Sequence, residues 1–124
     1  MREDDPLTYE IIGAAIEVSK ILGVGLLESV YETCLAEELK NRGLRILRQV
    51  GFPVFYKGVK VDLAFRADLV VESAVVVEVK ALEAVHKVHH AQLLTYMRLS
   101  QTRKGLLINF YADPFAKGIK RMIL

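Results

Sequence analysis

The stretch RADLVVESAVVVEVKAL, Arg66 to Leu82, holds two runs of apolar, largely β-branched residues separated by Glu72-Ser73. The second run is as dense in valine as a strand buried on both faces requires. A break this short predicts antiparallel neighbours. Yet Glu78 and Lys80 interrupt the second run where a buried strand should carry no charge. Alternation puts these two side chains on one face and Val79 on the other. Burying an unpaired charge costs several kcal/mol, so that face must meet partners, a metal or water; a solvated or salt-bridged strand end is the plain alternative.

Asp68 precedes Glu78 by ten residues, a separation that lets two adjacent antiparallel strands bring both carboxylates to one end of a sheet. Two carboxylates and a backbone carbonyl, here that of Val79, are hard oxygen ligands of the kind Mg²⁺ takes. Lys80 beside them would hold or activate an attacking water and balance developing negative charge. Asp62 competes for the role of Asp68, but it sits close to the Lys57-Gly58 turn, where solvation is expected.

Working outward, LRILRQVGFPVFY from Leu44 reads as a strand that turns at Lys57-Gly58 into VKVDLAFRADLVVE, making three strands in succession. Before them, Pro6 and Thr8 start a helix with Ile11, Ile12, Ala15, Ile16, Val18 and Leu22 at helical spacing, ending at GVG. A second helix is expected from about Leu26 to Arg42, closed by Gly43. After the strands come a helix from Lys87 to Ser100, a short strand in GLLINFY and an edge strand in IKRMIL. The third helix is long enough to cross over to a parallel fourth strand. The expected architecture is a mixed α/β single domain over residues 1–124, in the order ααβββαβ with a further strand available at the end.

With 124 residues and 52% hydrophobic content, the chain can bury one core. A net charge of +2 with 26% charged residues excludes a polybasic tail protein and a disordered acidic one, so a nucleic-acid partner would need a local patch. Cys34 is the only cysteine, which rules out an intrachain disulfide and a multi-cysteine zinc site; it falls on an apolar helix face and reads as core. The acidic start MREDDPLTYE lacks the features of a signal peptide, and no apolar run reaches the ~20 residues that span a bilayer. A cytoplasmic protein with no membrane partner is expected.

Asp68, nine residues, then Glu78-Val79-Lys80, placed on two successive strands followed by a helix, resembles the signature of the PD-(D/E)XK nuclease superfamily. Ala67 stands where the name-giving proline would be. A more specific resemblance lies in GLLESVY, Gly25 to Tyr31, which is similar to the motif of the GxxExxY family within that superfamily. RADLVVE, VEVKAL, HHAQLLTYMR and GLLINF also look like that family's segments.

These resemblances imply a restriction-endonuclease-like core, with a mixed four- to five-stranded sheet flanked by helices. They imply a nuclease that hydrolyses phosphodiester bonds of nucleic acid, with DNA the expected substrate, using Mg²⁺ or Mn²⁺. The metal would be held by Asp68, Glu78 and the Val79 carbonyl, with Glu28 as a third acidic member and Lys80 orienting the water. Gln92 would approach the metal site or scissile phosphate, and Tyr96, four residues on, would pack at its edge.

Glu28 has a plain reading too, since a first-turn glutamate complements the helix dipole by roughly 0.3 to 1 kcal/mol. It shares a helix flank with Leu35 and Leu39, however, and so looks toward the sheet, with Tyr31 packing or hydrogen-bonding behind it. His86 and His90 have metal-ligand spacing but no completing ligand; phosphate contact or exposure fits these histidines better, with His89 the one nearest Gln92. Lys87, Arg98, Arg103 and Lys104, joined by Lys117, Lys120 and Arg121, offer a surface for nucleic acid or simply a solvated face. A homodimer or a protein partner would help so small a core engage two strands. The alternative function is a non-catalytic binding module that keeps the nuclease fold.

Overall fold

A computed structural model describes residues 5–124, the side chains at 63–65 excepted, so the acidic start at 1–4 lies outside the described residues. The elements are α1 (Pro6–Leu22), α2 (Glu28–Asn41), β1 (Ile46–Tyr56), β2 (Val59–Val71), β3 (Val75–Lys80), α3 (Lys87–Ser100), β4 (Lys104–Asn109) and β5 (Ile119–Ile123). A 3-10 turn at Phe115–Gly118 leads into β5. This is the expected order, with the edge strand formed. α2 starts at Glu28, two residues later than its pattern suggests, because Leu27 is extended.

The strands form one mixed sheet in the order β1-β2-β3-β4-β5, consistent with a restriction-endonuclease-like fold. β3 and β4 are parallel and every other pair is antiparallel. At the first hairpin, Lys57 and Gly58 both take positive φ (49° and 82°), as a two-residue turn matched to strand twist requires.

Helices cover both faces. Ile11, Ala14 and Ala15 of α1 with Tyr31, Leu35 and Leu39 of α2 pack against Leu69, Val75, Val77, Val79, Leu106 and Ile108. On the other face, Leu93, Tyr96 and Met97 of α3 pack against Ala67, Val70, Val76 and Leu107. β3 is therefore buried from both sides, which is why its valines are unbroken until Glu78. Gly105 lets α3 close down, since a Cβ there would sit 2.6 Å from the Met97 sulfur. Among the described residues no helix is long and apolar enough to cross a membrane.

Candidate active site at the splayed end of the sheet

The β2–β3 ladder runs from Val71↔Val75 to Leu69↔Val77 and then stops. Past that point side chains replace the rungs. The Asp68 backbone N–H donates to Glu78 Oε2 at 2.8 Å, and the Val79 N–H donates to Asp68 Oδ2 at 2.8 Å. The two carboxyls are thus built into the sheet, each taking the place of a carbonyl on the neighbouring strand. In extended backbone a residue's carbonyl leaves the strand on the same edge as its own N–H. The Val79 carbonyl therefore faces the same opening, while the Lys80 carbonyl accepts from Phe110 N–H on the other side.

Alternation also breaks at this place, on two strands together. Ile46 packs in the α1/α2 layer, yet Val50 and Phe52 pack in the α3 layer. Ala67 and Leu69, two residues apart, likewise lie in opposite layers. The break falls at Gln49 and Asp68, which the register Arg48↔Leu69 and Val50↔Ala67 sets opposite each other. Gln49 has φ 51°, a left-handed conformation that costs a non-glycine residue on the order of 1–3 kcal/mol. Its Nε2 donates to Glu32 Oε1 and Oε2 (2.9 and 3.0 Å) and to Asp68 Oδ1 (3.3 Å). Arg48 Nη2 reaches Glu32 Oε2 at 3.3 Å and Thr33 Oγ1 at 2.9 Å.

Burial dominates the electrostatics. Glu78 is 3% exposed. Loss of water, then the neighbouring Asp68 charge and more weakly Glu28, push its carboxyl up to about 8, against the Asp68 N–H and Lys80, which favour the charged form. Burial raises Asp68 to about 6, opposed chiefly by the Val79 N–H, with Glu32 and Glu28 adding to the rise. A buried carboxyl pair lacking compensating charge is what a hard cation would satisfy. Among the described residues no three His, Cys, Asp or Glu side chains come together as a metal cage. Two carboxylates and the Val79 carbonyl are oxygen donors of the kind that would suit Mg²⁺ or Mn²⁺, which keep several waters.

Glu28 is the third acidic residue expected at the site. Its charge is felt at Asp68, Glu78 and His89, which places it beside the site. It is the first residue of α2 and follows the loop at 23–27. Tyr31 builds that loop. Its hydroxyl donates to the Gly23 carbonyl at 2.6 Å and accepts from Leu26 N–H at 3.3 Å, while its ring stacks on Phe110 at 4.7 Å. Gly25, with φ 102°, supplies the backbone this turn needs.

α3 approaches from the opposite face. His89 Nδ1 accepts from His86 N–H at 2.9 Å, and burial followed by the Lys80 charge lowers its basicity. Tyr96 lies near both carboxyls; burial, then Glu78 and Asp68, push its phenol up to about 12, so it stays protonated. Gln92 is half-buried on the face between them, three residues after His89 and four before Tyr96. Lys80, half-buried, acts electrically on Asp68, Glu78 and His89. Asp62 is exposed and pairs with Lys60 at 3.6 Å.

Lys87, Arg98, Arg103 and Lys104 do not form one patch, whereas Lys117 and Lys120 line a common cavity with Glu83, Asn109 and Asp113. Lys87 opens α3 beside the site. Arg98 lies in the last turn of that helix, and Arg103 and Lys104 lead into β4, where Lys104 pairs with Val75 while Asn109 pairs with Lys80. Five strand steps of ~3.3 Å, roughly 16 Å, separate those ends. Lys104 is bound to Asp5 at 2.7 Å, and Arg103 holds the Leu124 carbonyl. Glu32, Arg48 and Gln49 are site residues that the pattern reading passed over. Glu32 had a signal, one helical turn after Glu28; a polar residue in a half-exposed strand, such as Gln49, has none.

Compared with known proteins, residues 5–122 match the family model of the PD-(D/E)XK nuclease superfamily. Neither the curated proteins nor the solved structures returned a match.

Proposed function

The chain belongs to the PD-(D/E)XK nuclease superfamily, and on that premise we propose that it is a metal-dependent nuclease acting on DNA, related within the superfamily to the GxxExxY proteins. The observation that carries this reading is the buried Asp68–Glu78 pair in the strand opening, with Lys80 on the same strand. Asp68, Glu78 and the Val79 carbonyl would hold one Mg²⁺ or Mn²⁺, which would polarise the scissile phosphate and acidify a bound water. Lys80 orients the attacking water and offsets charge that develops on the phosphate. Tyr96 remains a neutral donor at the carboxyl pair. Gln92 and His89 face the incoming strand from α3, and Glu28 holds water at the rim.

The test is cleavage of a panel of single- and double-stranded DNA and RNA by purified protein with Mg²⁺ or Mn²⁺. Lys80→Ala is expected to lower kcat by roughly 10²- to 10³-fold, the size of losing one transition-state donor, while still binding Mn²⁺. Cleavage at the wild-type rate in Lys80→Ala would overturn the assignment of Lys80. One observation favours the second reading, a non-catalytic module: both carboxyls already have a structural use in the sheet. No uptake of Mg²⁺ or Mn²⁺ in calorimetry, with no cleavage of any substrate, would decide for it.

A further inference from the structure

Asp68 must present its carboxylate in one orientation, and the backbone of its own strand does not dictate that orientation, because alternation fails at this residue. Two donors hold it. Val79 N–H fixes Oδ2, and Gln49 Nε2 reaches Oδ1. Gln49 is itself held, since the same nitrogen donates to both oxygens of Glu32, a residue only 6% exposed on α2. Both neighbours are carboxyl groups, so the amide can face them only with its NH₂. One N–H serves Glu32 and the other Asp68. Arg48 anchors Glu32 from beyond, completing a chain Arg48, Glu32, Gln49, Asp68 that links helix to sheet.

We infer that Gln49 is a positioning residue, which through Glu32 sets the Asp68 carboxylate for the metal; the inference rests on the metal-dependent reading above. The left-handed backbone at Gln49 belongs to this role, because it places the side chain in the break between the two faces. It also supplies a clean variant. Glycine adopts φ near 51° without strain, so Gln49→Gly removes the amide while keeping the backbone that the hairpin needs.

Three measurements on the full chain test it. In metal-free protein the Gln49 side-chain amide protons, followed by ¹⁵N NMR, should exchange slowly with solvent and shift in both Asp68→Asn and Glu32→Gln. Gln49→Gly should fold with the backbone intact and a melting temperature lowered only by the lost amide hydrogen bonds, yet bind Mn²⁺ roughly 10- to 100-fold more weakly, as loss of a ligand-orienting partner does. Glu32→Gln should weaken Mn²⁺ in the same direction. Wild-type uptake of Mn²⁺ with an unchanged Kd in Gln49→Gly overturns the positioning role alone. A wild type that takes up no Mn²⁺ overturns the metal reading and this role together, leaving only the amide bridge.

Discussion

Glu78 and Asp68 hold their protons to higher pH than they would in an unfolded chain, about 8 and about 6 against 4.5 and 3.8. Between the ordinary carboxylate range and about pH 8 the folded protein therefore binds more protons than the unfolded one. The contribution of this pair to stability is full at the acid end of that window and is lost as pH rises through it. In metal-free buffer the melting temperature should fall from pH 5 to about pH 8, and Mn²⁺ should restore it most at the alkaline end, where protons no longer compete. A flat profile in wild type would contradict the burial described. Glu78→Gln removes the titrating group but can still accept from Asp68 N–H through its amide oxygen, so it should flatten the slope and raise the alkaline melting temperature. Asp68→Ala strands the Val79 N–H without a partner and should cost about 1–3 kcal/mol in denaturant unfolding, whereas Asp68→Asn keeps that bond.

The elements were legible in the sequence to the degree that periodicity alone builds them. α3 begins and ends where its apolar spacing places it, and the valine run with its two charges is β3. The Asp68–Glu78 separation identifies two strands side by side, but what holds the pair open was not readable. A change of face at Gln49 and Asp68 has no compositional mark, because it depends on both strands breaking alternation at the same rung. The loop before α2 is similar: the pattern marked Gly25, Glu28 and Tyr31, but only the fold shows that the Tyr31 hydroxyl binds the loop backbone. Tyr31→Phe keeps the Phe110 stack and loses the hydroxyl bonds to Gly23 and Leu26, which should cost about 0.5–1.5 kcal/mol per bond made. If the loop matters to the site, the same variant should lower nuclease activity through the position of Glu28 while α3 and the sheet keep their hydrogen-exchange protection.

Across the whole molecule, the amino-terminal ends of α2 and α3 come from opposite faces to the same end of the sheet. Helix N-termini carry partial positive charge, so both favour the carboxylates and an arriving phosphate. Four basic side chains divide along the same axis, Lys87 near the site and Arg98, Arg103 and Lys104 near the other end. Charge reversal at Lys87 should therefore weaken nucleic-acid binding and flatten its salt dependence. Reversal at Arg98 should leave both unchanged, and Lys104→Ala should destabilise by releasing Asp5. A titration of binding against salt for these three variants separates the two ends.

The strand opening also bears on how such a protein can change over generations. Because Asp68 and Glu78 complete the hydrogen bonding of the sheet, a descendant without catalysis would still be selected to retain an acceptor oxygen at each position, which Asn and Gln also supply. Lys80's side chain carries no such structural bond among the described residues and would drift first. In comparing relatives, then, an acceptor side chain at these two positions is a poor witness to activity, and the lysine two positions after Glu78 is the better one.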